Sequence, residues 1–320
     1  ELPISASTGN LRKLINAGEM ENKGIEIMLS GDIIKAKERG DFQWTMGVNF
    51  AKNENQIIEL YRDEEQGIII ENYLIAQAPF AVTVRAVEGE SYGSIYGFGY
   101  KTDADGNRLV DANGLYVRTD QQEVIGDVLP DFTGGVTNNF SYKGVSLSAL
   151  IDFQVGGDVF STTNMWAKYS GMTEETVADN IREDGTVVEG VYAPGTMLDL
   201  DGDGTPEDVS GRENETNISA QSHFFNNGGY TIGEADVYDA GYVYLREMTL
   251  SYTLPKNMTE NWKVNNVTFG LFGRNLWLIH SNIPHLDPTA LANSATNAQG
   301  IEGAALPSIR SFGFNLSFNF

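Results

Sequence analysis

The sequence has 320 residues and carries 21 Lys and Arg against 44 Asp and Glu, a net charge of −23. A surface this acidic repels phosphate backbones, so we expect no nucleic-acid partner. The sequence has no cysteine, which excludes disulfides, a thiolate nucleophile and zinc–thiolate sites. It also lacks a run of about 18 apolar residues, so no transmembrane helix is expected.

An alternation of apolar and polar residues recurs in seven segments. The first segment, residues 24–35, places Ile25, Ile27 and Leu29 on alternate positions around Glu26. Because successive side chains of a strand point to opposite faces, a period of two predicts strands with one apolar and one polar face. In chain order the predicted strands cover residues 24–35, 41–53, 131–142, 145–156, 242–254, 265–278 and 309–320.

The predicted strands have the length and composition of strands that cross a bilayer. The predicted ranges are 12 to 14 residues long, close to what a tilted transmembrane strand needs. Their polar faces are mostly Ser, Thr, Gly, Asn and Gln, and their apolar faces place aromatic residues near the strand ends. We therefore predict an all-β fold, a transmembrane antiparallel β-barrel. A soluble β-sandwich is the alternative, but sandwich strands usually carry more charge on the solvent side.

The aromatic residues fall into two sets, one for each expected membrane interface. One set is Phe42, Tyr142, Tyr252, Phe318 and Phe320, and the other is Phe50, Phe132, Phe153 and Trp277.

The connections alternate between short and long. Short turns are predicted at 35–41, 142–144 and 255–265, and long loops at 57–130, 157–241 and 279–308. Bacterial barrels have short periplasmic turns and long extracellular loops, which places the long loops outside the cell and the C-terminus in the periplasm. The first two long loops are also the acidic ones, since they hold 22 of the 23 excess negative charges.

Seven strands are too few for a complete barrel. Bacterial single-chain barrels have even strand numbers, and an open sheet would leave two unpaired edges in lipid. We therefore expect the sequence to be part of a larger barrel. An N-terminal portion outside this sequence or another polypeptide would supply the remaining strands.

Several stretches resemble a known family. NAGEMENKGIEIML (16–29), GDFQWTMGVNFAKNENQIIEL (40–60), YVYLREMTLSYTLP (242–255) and the terminal SFGFNLSFNF are similar to the C-terminal third of SusC/RagA-type TonB-dependent transporters of Bacteroidetes. The similarity runs nearly end to end, and the stretches follow the order of the family.

The resemblance implies a transporter of the bacterial outer membrane. These strands would be the last seven of a 22-stranded barrel, whose N-terminal plug lies outside this sequence. The family imports oligosaccharides or peptides with a SusD-like surface lipoprotein as lid and the TonB complex as energy source, and it performs no covalent chemistry. A SusC-like barrel that serves as a scaffold in an assembly or secretion complex is the alternative.

An acidic motif in the second long loop has the spacing of a calcium ligand set. In DLDGDGTPEDVSG (199–211), Asp199, Asp201 and Asp203 occupy alternate positions before a glycine turn, and Glu207 or Asp208 would complete a shell of oxygen ligands. The twelfth position is serine instead of the usual glutamate, which departs from the EF-hand pattern. A structural Ca²⁺ and a solvated acidic turn both remain open, and no other cofactor is expected.

The polar residues of the strands are candidates for the barrel interior. By alternation we predict that five of them face the lumen, where they would line the transport path or contact the plug. They are Glu26, Asp32, Asp152, Gln154 and Arg274.

The end of the last strand is a candidate assembly signal. Phe318 and Phe320 resemble the C-terminal signal by which outer-membrane proteins enter their assembly machinery. Position 316 adds no equivalent phenylalanine to this signal, because it is a leucine, Leu316. The predicted signal therefore consists of Phe318 and Phe320.

A hydrolase motif is present only in part. GESYG (89–93) matches the G-x-S-x-G pattern around a nucleophilic serine, but that motif requires a following helix, and SIYGFGY follows instead. We therefore predict no catalytic residues and no enzymatic activity.

Overall fold

The computed structural model describes residues 2–3, 9, 12–13, 18–38, 40–63, 68–80, 82–259, 264–290 and 299–319. The strands up to residue 127 are β1 (Leu2–Pro3), β2 (Arg12–Lys13), β3 (Glu19–Ile34), β4 (Gln43–Glu59), β5 (Tyr61–Asp63), β6 (Ile68–Ile70), β7 (Asn72–Gln77), β8 (Thr83–Val87), β9 (Tyr92–Gly97), β10 (Leu109–Val110) and β11 (Glu123–Asp127). The later strands are β12 (Pro130–Tyr142), β13 (Val145–Gly156), β14 (Asp158–Ser161), β15 (Val191–Tyr192), β16 (Met197–Leu198), β17 (Glu207–Asp208), β18 (Val237–Asp239), β19 (Tyr242–Thr253), β20 (Asn266–Ser281), β21 (Ile301–Glu302) and β22 (Ser311–Asn319).

The helices are short. The α-helices are α1 (Thr162–Tyr169), α2 (Ile181–Asp184), α3 (Ala220–Asn226) and α4 (Lys256–Thr259), and single 3₁₀ turns lie at Glu174–Thr176, Ala178–Asn180 and Gly233–Asp236. No helix in the described ranges has the length and apolar character needed to cross a membrane.

Seven long strands form one sheet in the order β3-β4-β12-β13-β19-β20-β22, and each neighbouring pair is antiparallel. Each of the seven predicted ranges overlaps one of these strands. The first two strands are longer than predicted, because Glu19 still pairs with Glu59. Residues 53–56 are polar on both faces of β4, so the alternation fades while the backbone ladder continues.

The register sorts the sheet into an apolar and a polar face. Val136 pairs with Val48 on one side and Ile151 on the other, so apolar residues continue across neighbouring strands. This apolar face is open: Phe314 is 80% exposed and Leu29 is 66% exposed. An apolar surface of this extent is stable only against another apolar phase. The sheet is therefore a wall segment of a membrane barrel with its apolar face toward lipid.

Aromatic side chains cluster at both ends of neighbouring strands. Trp44 and Phe140 stack with ring centroids 5.7 Å apart near the turn between β12 and β13. At the opposite end Phe132 lies 5.4 Å from Phe50 and 6.4 Å from Phe153. These positions match the two aromatic belts by which barrels are anchored at the membrane interfaces.

The buried apolar core lies outside this wall. One cluster includes Val84 and Ile95 of the first long connection, Phe160 and Met165 of the second, and Ile301 of the third. A second cluster forms around Val110 and Tyr192, and a third around Val159 and Ile283. We call residues 60–129, 157–241 and 282–310, as far as they are described, the loop body.

The segments predicted as long loops at 57–130, 157–241 and 279–308 have a folded structure that alternation did not predict. The first connection contains the four-stranded sheet β7-β8-β9-β11, and β14 pairs with both β18 and β21. Glu302 is 2% exposed and accepts hydrogen bonds from Ser161 Oγ at 2.8 Å and Thr163 Oγ1 at 2.7 Å. Hydroxyl donors thus satisfy a carboxylate that joins the third connection to the second.

Candidate functional site

The five residues predicted to face the lumen lie on the polar face of the sheet. Each pairs with a residue of the same face on a neighbouring strand; for example, Asp32 pairs with Thr45, Gln154 with Thr133, and Arg274 with Glu247. Asp32 accepts hydrogen bonds from Thr45 Oγ1 at 2.7 Å and Gln43 Nε2 at 3.1 Å. The structure thus places the five on one face, and their position in a lumen stays a prediction. They are Glu26, Asp32, Asp152, Gln154 and Arg274.

Asp152 forms the centre of a polar cluster on this face. Arg246 Nε donates to Asp152 Oδ2 at 2.5 Å, and both side chains are about three-quarters buried, with 21% and 27% exposed. The Arg246 guanidinium also lies 4.3 Å from the Tyr244 ring centroid and donates to Asn275 Oδ1 at 3.2 Å. Tyr242 Oη lies 3.5 Å from Asp152 Oδ1. The carboxylate, guanidinium, amide and phenol groups give this part of the face both donors and acceptors.

Sequence alternation misses Arg246. Counting back by two from Met248 and Leu250 places Arg246 on the lipid face. In the structure the pairing shifts between Leu245 and Glu247, and a bulge there turns Arg246 to the polar face. A charged residue at an apolar position in the middle of a strand was the signal that a bulge was required, because arginine facing lipid is costly.

A second ion pair lies beside the first. Arg274 Nε donates to Glu247 Oε2 at 3.0 Å, and both side chains are largely exposed. Asn275 follows in the left-handed conformation, with φ of 50°, and donates to the Ile309 carbonyl at 3.1 Å. Two arginines and two carboxylates therefore occupy adjacent strands of the polar face, a surface suited to hydrogen-bonding a polar solute.

The predicted calcium motif is the tip of a short hairpin. β16 pairs with β17, and the ligand-atom oxygens of Asp199, Asp201 and Asp203 lie within 4.8 Å of one another. Backbone N–H groups of Gly202 and Gly204 donate to Asp199 at 2.8 Å, which already neutralises part of the carboxylate charge. Calcium binding here stays a prediction.

The other two predicted ligands do not join this group. Glu207 forms an ion pair with Arg212 at 2.7 Å. Asp208 accepts from the Ser210 side chain and backbone N–H, and these hydrogen bonds lower the pKa of Asp208. Both residues belong to the returning strand β17, whose pairing carries them away from the tip, so the set of five reduces to three.

The last described strand, β22, pairs with β20 along its length. Phe318 lies opposite Val267 on the apolar face. Position 316 is a leucine and not a phenylalanine, and Leu316 lies opposite Phe269 on the same face, 45% exposed. An aliphatic side chain thus continues the lipid-facing row without adding a ring to the predicted signal. Phe320 lies outside the described residues, so the assembly signal is described only at Phe318 and stays a prediction.

Ser91 has the environment of a structural residue. It donates a 2.5 Å hydrogen bond to Asp127, and β9 begins at Tyr92, directly after it. A nucleophilic serine of this motif stands between a strand and a helix with a histidine as base. The three histidines all lie in the described ranges, and none of them hydrogen-bonds Ser91.

Sheet, aromatic belts and loop body together define a part of an outer-membrane barrel. No family model matches the chain. The sequence is 25% identical over 346 aligned positions, 99% of this chain, to TonB-dependent receptor P3 of Formosa agariphila, and 24% identical over its whole length to TonB-dependent receptor P26 of the same organism. The chain spans about 30% of the length of these relatives.

Solved structures share the fold. The RagAB peptide transporter superposes with a TM-score of 0.61 at 18% identity, covering 100% of this chain and 31% of that one. The RagAB peptide importer in the closed-closed state gives the same TM-score at 19% identity, with 32% of its chain covered. The resemblance to SusC/RagA-type TonB-dependent transporters is thus confirmed. These relatives and neighbours are receptors and transporters, so the prediction that the chain is not an enzyme is also confirmed.

Proposed function

We propose that this chain forms part of the wall and the extracellular loops of a TonB-dependent outer-membrane importer of oligosaccharides or peptides. The observation that supports this most is that the similarity to TonB-dependent receptors extends along nearly the whole of this chain. The sheet of the chain also exposes one apolar face, as a barrel wall in lipid does. The polar face supports it further, because two arginine–carboxylate pairs offer hydrogen bonds to a passing solute.

The proposed partners are a SusD-like surface lipoprotein and the TonB complex. The loop body is a folded structure with its own apolar clusters, which is a suitable platform for a lid protein. The TonB complex would act through a plug, which lies outside this sequence. The similar RagAB structures are of a peptide transporter, and the resemblance to the SusC/RagA family adds oligosaccharides. Peptides and oligosaccharides are therefore the two substrate classes to be tested first.

Uptake by intact cells tests this function. We expect that deleting the gene for the full-length protein abolishes uptake of one labelled class, neutral oligosaccharides or peptides, and that loss of TonB has the same effect. Mild-detergent extraction of the tagged protein should yield a surface lipoprotein in near-equal amount. Unchanged uptake of both classes, together with isolation of the barrel alone, would overturn the proposal.

A further inference from the structure

The loop body contains an open cleft on the side of the second apolar cluster. Its volume is about 690 Å³, within the range of about 300–1,000 Å³ typical of small-ligand sites. Its lining includes Arg108, Tyr116, Glu189, Glu213 and Asn214. Neither the wall nor the ion pairs of the polar face contribute to the cleft. The cleft is therefore separate from the proposed transport path, and its function needs another explanation.

The floor of the cleft is held in place by hydrogen bonds between chain segments. Val191 N donates to the Arg108 carbonyl at 2.9 Å, and Asn214 N donates to the Gly190 carbonyl at 2.9 Å. The Asn214 side chain, 8% exposed, donates to the Val188 carbonyl at 2.9 Å. These bonds hold three chain segments together above the cluster of Val110 and its neighbours, so a ligand would find the cleft already formed.

One wall is aromatic and held in place. Tyr116 packs edge-on against Tyr100 with ring centroids 5.0 Å apart, and its hydroxyl donates to the Glu189 carbonyl at 3.0 Å. The Arg108 guanidinium stacks 3.8 Å from the Tyr100 ring centroid and lies 5.5 Å from that of Tyr116. Ring and guanidinium are thus fixed relative to each other.

Three charged groups of the lining are available to a ligand. Among the described residues, the side chains of Arg108, Glu189 and Glu213 make neither an ion pair nor a side-chain hydrogen bond. An anionic ligand would satisfy the guanidinium but meet two carboxylates, and an ammonium ligand would satisfy the carboxylates but meet the guanidinium. Vicinal hydroxyls donate and accept at once, so a neutral polyol satisfies all three.

We propose that this cleft binds a neutral sugar unit of an oligosaccharide, with the carboxylates of Glu189 and Glu213 and the guanidinium of Arg108 hydrogen-bonding its hydroxyls and the Tyr116 ring contacting its apolar C–H face. The inference deepens the proposed function, on which it rests for placing the loop body outside the cell. The cleft then concentrates saccharide at the cell surface, apart from the barrel.

Binding by the purified full-length protein in detergent tests this inference. The probes for calorimetric titration are maltohexaose, cellohexaose, mannohexaose, xylohexaose and laminarihexaose, with hexagalacturonate and hexalysine as charged comparisons. We expect at least one neutral hexasaccharide to bind. Glu213→Gln should raise its Kd about tenfold, and Tyr116→Ala should abolish binding. Glu215→Gln, an exposed neighbour outside the cleft, should change the Kd less than about twofold.

Glu213→Gln preserves side-chain shape, so its result stands even if Tyr116→Ala fails to fold. Failure of all five neutral probes, or equal binding by wild type and Glu213→Gln, overturns the inference. Binding of hexalysine or hexagalacturonate alone also overturns it, and hexalysine would assign the cleft to a basic peptide. Saccharide binding by the purified protein without uptake by cells would leave this inference standing and count against the proposed function.

Discussion

At the scale of single residues, the polar face depends most on Arg246. Its pair with Asp152 is mostly buried, whereas the neighbouring pair of Arg274 and Glu247 is largely exposed. Burial decides the strength of such pairs, because an exposed pair is weakened by solvent and a buried partner left alone keeps its desolvation cost. The two arginine–carboxylate pairs therefore differ in their contribution to the stability of the protein, although their chemistry is the same.

Arg246→Ala should destabilise the full-length protein by about 1–3 kcal/mol, because Asp152 would lose its charged partner while partly buried. Thermal unfolding in detergent, monitored by circular dichroism, measures the loss of stability. Arg274→Ala is the matched control and should cost less than about 1 kcal/mol. Equal losses in the two variants would contradict the difference drawn from burial.

At the scale of elements, the wall could be predicted from the sequence and the loop body could not. Alternation identifies β13 at its observed ends, Val145 and Gly156, because one face meets lipid and the other is polar. The same rule fails at Arg246, where a bulge changes parity without changing composition. It also fails in the loops, where Phe160 and Ile301 meet in one cluster although 141 positions separate them.

The candidate sites show the same division. The polar-face positions of Glu26 and Arg274 follow from period two alone. The grouping of Asp199, Asp201 and Asp203 follows from their spacing, but the departure of Glu207 depends on its strand partner and on Arg212. A sequence pattern shows how residues are spaced along the chain, but it does not show which residues pair across a hairpin. That pairing becomes visible only in the fold.

The hairpin tip leads to a prediction about calcium. If Ca²⁺ binds Asp199, Asp201 and Asp203, then calcium at about 100 times its Kd should stabilise the folded loop by about 2.7 kcal/mol. Thermal unfolding of the full-length protein with calcium or with EDTA measures the effect. Asp201→Asn should remove it, and Glu207→Gln should preserve it. Identical unfolding in calcium and EDTA would leave the motif as a solvated acidic turn.

Helix α3 leads to a prediction about pH. Burial, reinforced by the charge of nearby Lys168, lowers the pKa of His223 below its usual 6.5. The unfolded chain therefore binds a proton at His223 before the folded chain does. Its contribution to stability is complete above about pH 6.5 and is lost as the pH falls through the folded pKa.

Hydrogen exchange of the segment containing α3 checks this pH dependence. Protection should fall between pH 7 and pH 5 after correction for the intrinsic exchange rate, and His223→Gln should flatten the change. His280→Gln, an exposed histidine bonded to Asn282, is the control and should leave the profile as in the wild type. A pH profile unaffected by His223→Gln would show that burial of this imidazole does not govern the stability of α3.

At the scale of the whole molecule, the two faces of the wall meet different media. Phe314 and Asn315 are neighbours in β22, and the register places Phe314 opposite Leu271 on the apolar face and Asn315 opposite Gly270 on the polar face. Two consecutive side chains of the strand thus have different surroundings, lipid hydrocarbon for Phe314 and the polar face of the sheet for Asn315.

Phe314→Arg should destabilise the assembled full-length barrel by about 2–4 kcal/mol, because an arginine would face lipid near the middle of the strand. Asn315→Arg, one residue away, should cost less than about 1 kcal/mol. Urea titration of the two variants in lipid vesicles gives both values. If the costs are equal, or Asn315→Arg is the more damaging, the assignment of faces is wrong.

The packing of the three connections in one apolar cluster, which includes Val84, Phe160 and Ile301, has a consequence for immune recognition. The loop body is held together by segments far apart in the sequence, since Ser161 and Glu302 share a buried hydrogen bond. A linear peptide copied from one connection lacks the segments against which it folds. Antibodies raised against such peptides should bind the denatured protein better than the native one, and an antigen meant to elicit antibodies against the native loop body has to contain the three connections together.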